Sequence, residues 1–529
     1  MKRRDFLSGS FTETFRRDIK FLGGEPKIEG NFSVETKPLD RQMAYHLLRR
    51  FAFGPTPEMV DEFVGLSPQD AADKILGDGT KPLPDGYQDL TWLDTQEEDP
   101  LKVSNQQIRS EIMGKLNNRY AALVDWWLEQ MREESLPAME KLALFWSTVW
   151  CIEFTYDTLA QIPPPLLYRN NQLLREQRLG NYKDFALEMT LDGAMLLYQS
   201  LYYSTKDAPN ENYPRELLEL FTMGIGHYSE GDIQVASTML TGWRTAAYLH
   251  EPAPNGKFNT YFVPGQHATG TSGRTFMGNT IPPLDEADNT EFQVKEKEVK
   301  GLLDIMFSEK GLEIGKFISE KIYRYFVYAS EGDIDYSIVD NMAEVFVQNN
   351  FELKPVFRSL ITSKHFYDQG AYGIQFKTPP EYIAGFEKQL GVDYPYSRRA
   401  CNDLEQILYN PPNVGSWKGY RTWISTTTLP LRIKYASEIL GEASDEELIA
   451  LAKKFEDYTD LILLNEKLME YFLAKIPDET RKERYLNVMR QHVDDSYWAS
   501  AIESESSNAA DAIRELIKEI IKSPDFQLC

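Results

Sequence analysis

The segment NENYPRELLELFTMGIGHYSEGDI, residues 210–233, concentrates charged and amide side chains on a short stretch of chain. Glu216 and Glu219 are three residues apart, a spacing that places both carboxylates on one face of a helix, where they could be presented to a metal ion or a substrate. Arg215 and Glu219 are four residues apart, so a surface ion pair is the structural alternative. Because acids at helical spacing are common, this pattern alone leaves a functional site and paired surface charges both open.

The same segment predicts the helix that would carry these side chains. Asn212 is a suitable N-cap, because its side-chain oxygen can accept a hydrogen bond from the first helical turn. Pro214 fits that turn because it has no amide to leave unpaired. Gly224 and Gly226 follow the apolar positions and can adopt the left-handed conformation that ends a helix. We therefore expect a capped amphipathic helix between Asn212 and Gly224.

Two later segments, TGWRT (241–245) and HATGTSGRTFMGNT (267–280), combine glycines with polar groups able to bind a ligand. His267 can titrate, donate, accept or bind a metal, although a hydrogen-bonded loop histidine is the structural alternative. We expect His267 to meet Arg215, Glu216 and Glu219 in one polar pocket, as the catalytic groups of a candidate site. Asn212 and Trp243 are expected to contact substrate there.

The segment YNPPNVGSWKGYRTWISTTTLPLR, residues 409–432, is an irregular stretch rich in Pro, Gly and aromatic residues. Trp417 and Asn413 could form a platform for a carbohydrate. Trp417 and Trp423 could equally fill a part of the core beneath a loop, and this second interpretation is favoured.

The motifs of common cofactor enzymes do not occur in the sequence. It has no P-loop, no G-x-G-x-x-G after a strand, no G-x-S-x-G, no H-E-x-x-H and no C-x-x-C. Cofactor and metal are therefore left unassigned.

The spacing of apolar residues predicts a mainly α fold, with a large multi-helix domain, a small β-hairpin and long irregular loops. Apolar positions recur at three and four residues in NNRYAALVDWWLEQM (117–131) and again in LPAMEKLALFWSTVWCIEF (136–154), which indicates a helical hairpin. Short strands are expected at 245–249 and 259–263. The predicted organisation is a basic leader at 1–39, a helical half at 40–250, a Pro- and Gly-rich loop region at 251–296 and a second helical half at 297–529, packed as one domain.

Composition and the N-terminal sequence bear on where in the cell the protein is located and on which classes of partner it can bind. The 529 residues carry a formal net charge of −24, which argues against nucleic acid as a partner, and no apolar run is long enough to span a bilayer. The sequence RRDFL (3–7) is typical of a twin-arginine export signal, but the apolar stretch that such a signal needs does not follow it. We expect a cytoplasmic protein; the alternative is export to the periplasm as a folded passenger of a partner with a complete signal.

Several segments together resemble one bacterial family. They are HLLRRFAFGPTPE (46–58), EKLALFW (140–146), LDGAMLLY (191–198), NENYPRELLELFTMGIG (210–226), LTGW (240–243), KFISEKIYRYFV (316–327), LKPVFRSLITSKHFY (353–367), FKTPPEYIAG (376–385) and NPPNVGSWKG (410–419). In this order they are similar to the bacterial domain of unknown function 1800 family, from about residue 43 to the last residue.

The resemblance implies one large, mainly helical domain, often exported and often encoded beside a second family, domain of unknown function 1501, which resembles sulfatases and alkaline phosphatases. It implies no activity. The family pattern has His-Asp followed by Lys near the segment of His267, whereas Ala268 and Arg274 stand at or near those positions here. This difference weakens a catalytic role for that acid and leaves Glu211, Arg215, Glu216 and Glu219 as the better candidates.

Two functions compete at this point. The first is a hydrolase-like enzyme that acts on surface glycans or their esters, and it predicts a deep pocket lined by Glu216, His267 and Trp417. The second is a non-catalytic binding or assembly subunit for the sulfatase- or phosphatase-like partner, and it predicts a broad apolar surface.

Overall fold

Helices dominate the computed structural model, which describes residues 27–77, 90–134, 138–154, 161–270, 273–330 and 332–529. The protein is 59% helical and 4% strand, which confirms the mainly α fold. The α-helices before the first strand are α1 (Arg41–Phe51), α2 (Pro57–Asp61), α3 (Pro68–Leu76), α4 (Gln106–Glu133), α5 (Ala138–Val149), α6 (Pro164–Gln177), α7 (Tyr182–Thr190), α8 (Gly193–Tyr198), α9 (Asn212–Glu216) and α10 (Glu230–Met239).

A second set of helices follows the strands. They are α11 (Glu291–Val294), α12 (Lys300–Phe326), α13 (Tyr336–Gln348), α14 (Leu353–Ile361), α15 (Pro379–Leu390), α16 (Ser397–Asp403), α17 (Thr428–Glu442), α18 (Asp445–Lys453), α19 (Leu461–Phe472), α20 (Glu479–Arg490), α21 (Asp495–Glu503) and α22 (Ser507–Ile521). Buried apolar side chains from Leu39 to Phe526 belong to one contiguous core cluster.

The described residues form two antiparallel hairpins where the sequence predicted one. Strand β1 (Trp243–Thr245) pairs with β2 (Thr260–Phe262), with Arg244 opposite Tyr261. Strand β3 (Arg274–Phe276) pairs with β4 (Asn279–Ile281) in the Gly-rich loop region.

The two predicted helices form as α4 and α5, and their apolar stripes are buried. Leu123, Val124 and Trp127 of α4 and Leu142 and Trp146 of α5 are among its fully or almost fully buried side chains. Reciprocal capping boxes form at Ser229 with Asp232 and at Ser444 with Glu447, each with the acid three residues after the cap.

Two π-helical turns interrupt the helices near the candidate site. One covers Leu217–Thr222 directly after α9, and the other covers Lys295–Val299 between α11 and α12. A π-turn holds an extra residue, so it rotates the following side chains away from the face that an α-helix would give them.

The predicted basic leader falls largely on residues 1–26, which lie outside the described residues. In the described part of the chain, no helix combines the length and the apolar character needed to cross a membrane.

Candidate functional site

The motif segment starts its helix one residue earlier than the capping argument implied. Helix α9 begins at Asn212, and the side-chain oxygen of Asn210 accepts from the Asn212 amide at 2.7 Å. The Asn212 side chain instead donates to the Gln199 side chain at 2.7 Å. Asn212 therefore joins the motif segment to the residues that follow α8. After the π-turn, Gly224 and Gly226 have positive φ, as predicted for the helix end.

Arg215 and Glu219 take part in a network on the protein surface. The Arg215 guanidinium makes two hydrogen bonds to the Glu230 carboxylate, at 3.0 and 2.8 Å, and lies 3.8 Å from Glu219. Glu219 also accepts a hydrogen bond from the Tyr228 hydroxyl. The closest ion pair of Arg215 is thus with an acid on α10, and the predicted pair with Glu219 is the longer one.

Glu216 faces a different set of groups. Burial raises the pKa of the Cys151 thiol to about 12, and the charge of Glu216 contributes to that rise. The pKa of Tyr198 is raised mainly by burial, and then by the negative charges of Cys151, Glu153 and Glu216. Glu153, Cys151 and Glu216 therefore all lie within electrostatic range of Tyr198.

Lys321 of α12 adds a cation to this neighbourhood. Burial lowers its pKa, while the charge of Cys151 acts in the opposite direction. Burial also raises the pKa of Glu153. Glu153, Tyr198, Glu216 and Lys321 are all partly exposed, whereas Cys151 is buried. We call Cys151, Glu153, Tyr198, Glu216 and Lys321 the Glu216 cluster.

The irregular loop at 409–432 packs against this cluster through Cys151. The Cys151 thiol lies 2.8 Å from the carbonyl oxygen of Val414. Asn413 is exposed, and its side-chain oxygen accepts from the Gly415 amide at 2.8 Å, which shapes the turn. Trp417 is partly exposed and Trp423 is buried. Only Trp423 therefore lies wholly in the core, which leaves the Trp417 ring partly open to a ligand.

His267 belongs to a buried polar chain beneath the second hairpin. Its Nδ1 lies 3.0 Å from the Thr241 carbonyl oxygen, which can only accept, so Nδ1 is the donor of that bond. Its Nε2 lies 3.3 Å from Glu298, and the other Glu298 oxygen accepts from Arg274. The side chains of His267 and Glu298 are 0% and 2% exposed. We call Thr241, His267, Glu298 and Arg274 the His267 chain.

The outer end of the His267 chain reaches an open surface groove. Arg274 is 12% exposed and lines a depression of about 560 Å³ with mostly polar residues of α10 and the second hairpin, among them Ser229, Asp232, Gln234 and Thr238. A neighbouring depression of about 400 Å³ shares Asp232 and Met277 with it, and is also lined by His227 and Tyr228. The second depression adjoins the surface network of Arg215, because Tyr228 donates to Glu219.

The four predicted catalytic residues thus make contacts in three settings. Arg215 and Glu219 contact each other and the surface beside α10. The charge of Glu216 contributes to the raised pKa values of Cys151 and Tyr198. His267 contacts Thr241 and Glu298. Of the predicted substrate contacts, Trp243 is 2% exposed and packs on Phe262, so it lies in the core.

Sequence reasoning missed Glu153, Tyr198, Lys321 and Glu298. The first three lie within or beside the motif segments WCIEF, LDGAMLLY and KFISEKIYRYFV, so a search of every titratable residue in those segments would have found them. Glu298 lies in the run KEKEVK, where it cannot be told from its solvated neighbours. In the part of the chain that the structure describes, no group of three His, Cys, Asp or Glu side chains is placed to hold a metal ion.

The fold and the site together define a class of protein. It is a mainly helical domain in which sequence motifs on several helices supply titratable groups. The chain belongs to the family described as Protein of unknown function (DUF1800), whose family model matches residues 46–528. Searches of curated proteins and of solved structures returned no match.

Proposed function

We propose that this protein is a hydrolase-like enzyme whose catalytic centre is the Glu216 cluster, and that it acts on glycans or on their esters. The observation that carries the proposal is the effect of Glu153 and Glu216 on Tyr198, because two carboxylates from distant motif segments then lie within electrostatic range of one partly exposed side chain. Two carboxylates are the minimum equipment for acid–base cleavage of a C–O bond.

The burial of Glu153 suggests its role, and Glu216 is assigned the complementary one. Burial raises the pKa of Glu153, so this carboxyl holds its proton to higher pH than a free glutamic acid and can protonate a leaving oxygen. Glu216 then acts as the carboxylate that activates a water molecule for attack. The C–O bond breaks, the leaving oxygen takes the proton of Glu153, and the water gives its hydroxide to the substrate and its proton to Glu216.

The other predicted residues have supporting roles in this proposal. Trp417 and Asn413 contact the substrate from the loop that packs on Cys151. Arg215 and Glu219 fix the motif segment against α10, and His267 fixes Arg274 at the groove through Glu298. Lys321 supplies a positive charge close to Cys151 in the same cluster.

Substitution of each acid tests the proposal. Glu216→Gln and Glu153→Gln should each lower kcat/KM for hydrolysis of a panel of aryl glycosides, sugar acetates and bacterial surface glycans by about 100-fold or more. Glu456→Gln is the control, because Glu456 is an exposed acid outside the Glu216 cluster and the motif segment. Full activity in Glu216→Gln would remove this centre.

A second candidate function is an assembly subunit for a partner of the domain of unknown function 1501 family. The apolar side chain of Ile225 supports it, because this residue is 76% exposed directly after the motif helix and its π-turn. This function predicts that Ile225→Glu abolishes co-purification with the partner, while Glu216→Gln leaves it intact. If the protein is a hydrolase, Glu216→Gln should lose activity and Ile225→Glu should keep it.

A further inference from the structure

Strand β1 carries a buried arginine, Arg244, whose partners are all uncharged. Arg244 is 8% exposed and lies opposite Tyr261 of β2. Its guanidinium donates to the carbonyl oxygens of Ser204 and Trp243, at 3.3 and 2.7 Å. It also donates to the side-chain oxygen of Gln266, and in the part of the chain that the structure describes no carboxylate forms an ion pair with it. Arginine keeps its charge in such a setting, so this positive charge has no counter-charge.

The nearby acid Glu251 is engaged by other groups. It accepts a hydrogen bond from the Tyr202 hydroxyl at 3.2 Å, and its carboxylate lies 3.2 Å from the Lys102 ammonium. Two backbone amides also donate to it, each at 3.0 Å. Glu251 is therefore neutralised by Lys102 and leaves Arg244 able to take a further anion.

Arg244 has donors for such an anion. A guanidinium has five N–H groups, and the three hydrogen bonds of Arg244 leave its Nε–H and one hydrogen of Nη2 without a partner among the described residues. The Nε atoms of Arg50 and Arg432 are buried, whereas that of Arg244 is within reach of solvent. The buried Arg175 shows how this edge takes a carboxylate, because its Nε and Nη2 donate to the two oxygens of Glu140 at 2.9 and 2.8 Å.

Tyrosine rings border this donor edge. The Arg244 guanidinium lies 5.3 Å from the centre of the Tyr202 ring. The Tyr203 ring meets Tyr202 edge-on, with 5.0 Å between ring centres, and Tyr203 is 56% exposed. The phenols of Tyr202, Tyr203 and Tyr261 all act on the charge of Arg244, so the three rings lie within electrostatic range of it. We call Arg244, Tyr202, Tyr203, Tyr261 and Gln266 the Arg244 site.

Hydrogen bonds join the Arg244 site to the motif segment. The Ser204 carbonyl oxygen accepts from Arg244, while the Ser204 hydroxyl accepts from the amide of Asn210 at 3.0 Å. Ser204 directly follows the 3-10 turn Leu201–Tyr203, which presents the two exposed or partly exposed rings. The donor edge and its aromatic border are therefore held in place by the same residues.

We propose that the Arg244 site binds a sugar acid with one negative charge, such as a uronic acid, whose carboxylate accepts from Arg244 and whose ring packs on Tyr203. A pyranose acid has its carboxylate and an apolar C–H face on one rigid ring, so both contacts form at a small cost in conformational entropy.

Other anions fit this site less well. Phosphate carries roughly two negative charges, and both the carboxylate of Glu251 and the net charge of −24 oppose a second charge. An acidic peptide has its carboxylates on flexible stems, which lose rotamer freedom when they bind. The site is a binding site, so it does not depend on catalysis at the Glu216 cluster.

Isothermal titration calorimetry of the full chain with a galacturonic acid tetramer tests the proposal. The fully methyl-esterified tetramer is the matched ligand, because it has the same rings without the charges. We expect the ester to bind at least about 10-fold more weakly, as the loss of a hydrogen bond to a charged group predicts. Equal affinity for acid and ester, or equal affinity for the acid and for tetraglutamate, overturns the proposal.

Variants place the ligand at this site. Tyr203→Ala should weaken binding of the acid tetramer about 5-fold or more. The control is Tyr396→Ala, since Tyr396 is also 56% exposed and meets Tyr394 edge-on, with 5.6 Å between ring centres. Equal affinities of these two variants would overturn the site.

Two further variants separate the Arg244 site from the proposed catalytic centre. Arg244→Lys keeps the charge and loses the planar fork, so it should bind the acid tetramer about 10-fold more weakly, and unchanged affinity would refute the role of Arg244. The comparisons of acid with ester and of Tyr203→Ala with Tyr396→Ala decide the matter if Arg244→Lys does not fold. Glu216→Gln should bind as the unmodified chain does, and loss of binding in it would place the sugar at the Glu216 cluster instead.

Discussion

The His267 chain makes a quantitative prediction about Glu298. In Glu298→Gln the shape of the side chain is kept and its charge is lost, so Arg274 and His267 lose the acid that they share. The Glu298 side chain is 2% exposed, and removal of one partner of a buried pair costs about 3–5 kcal/mol. Arg274 is 12% exposed and can turn toward the groove, so we expect the lower end, about 3 kcal/mol.

The Arg215 network supplies the matched control. Glu230 also pairs with an arginine, but its side chain is 71% exposed, and solvent screens an exposed pair so that it contributes little to stability. Glu230→Gln should therefore lower the free energy of unfolding far less than Glu298→Gln. The two substitutions remove the same chemical group and differ in its burial.

Urea denaturation followed by circular dichroism at 222 nm measures both variants. We expect the midpoint to fall much further for Glu298→Gln than for Glu230→Gln, with similar m-values. The double variant Glu298→Gln with Arg274→Gln should recover part of the loss, because it also removes the cation left without its acid. Equal shifts for the two single variants, or no recovery in the double variant, would refute the reasoning.

Three further predictions concern other parts of the chain. Because burial raises the pKa of Cys151 to about 12, iodoacetamide at pH 8 should modify this thiol far more slowly in the native protein than in urea, and equal rates by mass spectrometry would contradict its burial. Gly54 has φ +60°, and an added Cβ would lie 2.0 Å from the Gly385 carbonyl oxygen, so Gly54→Ala should lower the free energy of unfolding by more than about 2 kcal/mol. The control Gly391→Ala has positive φ but open space around the added Cβ, and it should cost about 1 kcal/mol. A larger loss in Gly391→Ala than in Gly54→Ala would contradict this argument. Burial raises the pKa of Glu387 from 4.5 to about 7, so between these pH values the folded state holds more protons than the unfolded state. The free energy of unfolding should therefore fall as pH rises from 4.5 to about 7. Glu387→Gln should flatten this pH dependence, and an unchanged slope would exclude Glu387 as its source.

Local patterns in the sequence were enough to predict most of the helical framework. The buried stripe of α4 and α5 follows from apolar residues at three and four positions, and the capping boxes at Ser229 and Ser444 follow from the residue three positions later. These features depend on neighbours within one helical turn, so their partners are already fixed by spacing. The second hairpin was missed because its pairing residues lie in a short loop with no such period.

Spacing arguments assume 3.6 residues per turn, and the motif segment departs from that value. The argument that Glu216 and Glu219 share a face assumed an α-helix, whereas a π-turn begins at Leu217. Glu219 accepts from Tyr228, and the charge of Glu216 contributes to the raised pKa values of Cys151 and Tyr198. A π-turn depends on how the surrounding structure packs, and it leaves no local sequence signal that we could use.

The sequence by itself determined the helical class, the family and the segments in which polar groups would be important. Tertiary structure alone decided which of those groups meet. Arg215 lies closer to Glu230 of another helix than to Glu219 of its own segment. Cys151 contacts Val414, which is 263 positions away in the chain. The physical reason is that helix propensity and capping act between neighbours in the chain, whereas ion pairs and pKa values depend on burial and on distances that exist only after the helices have packed.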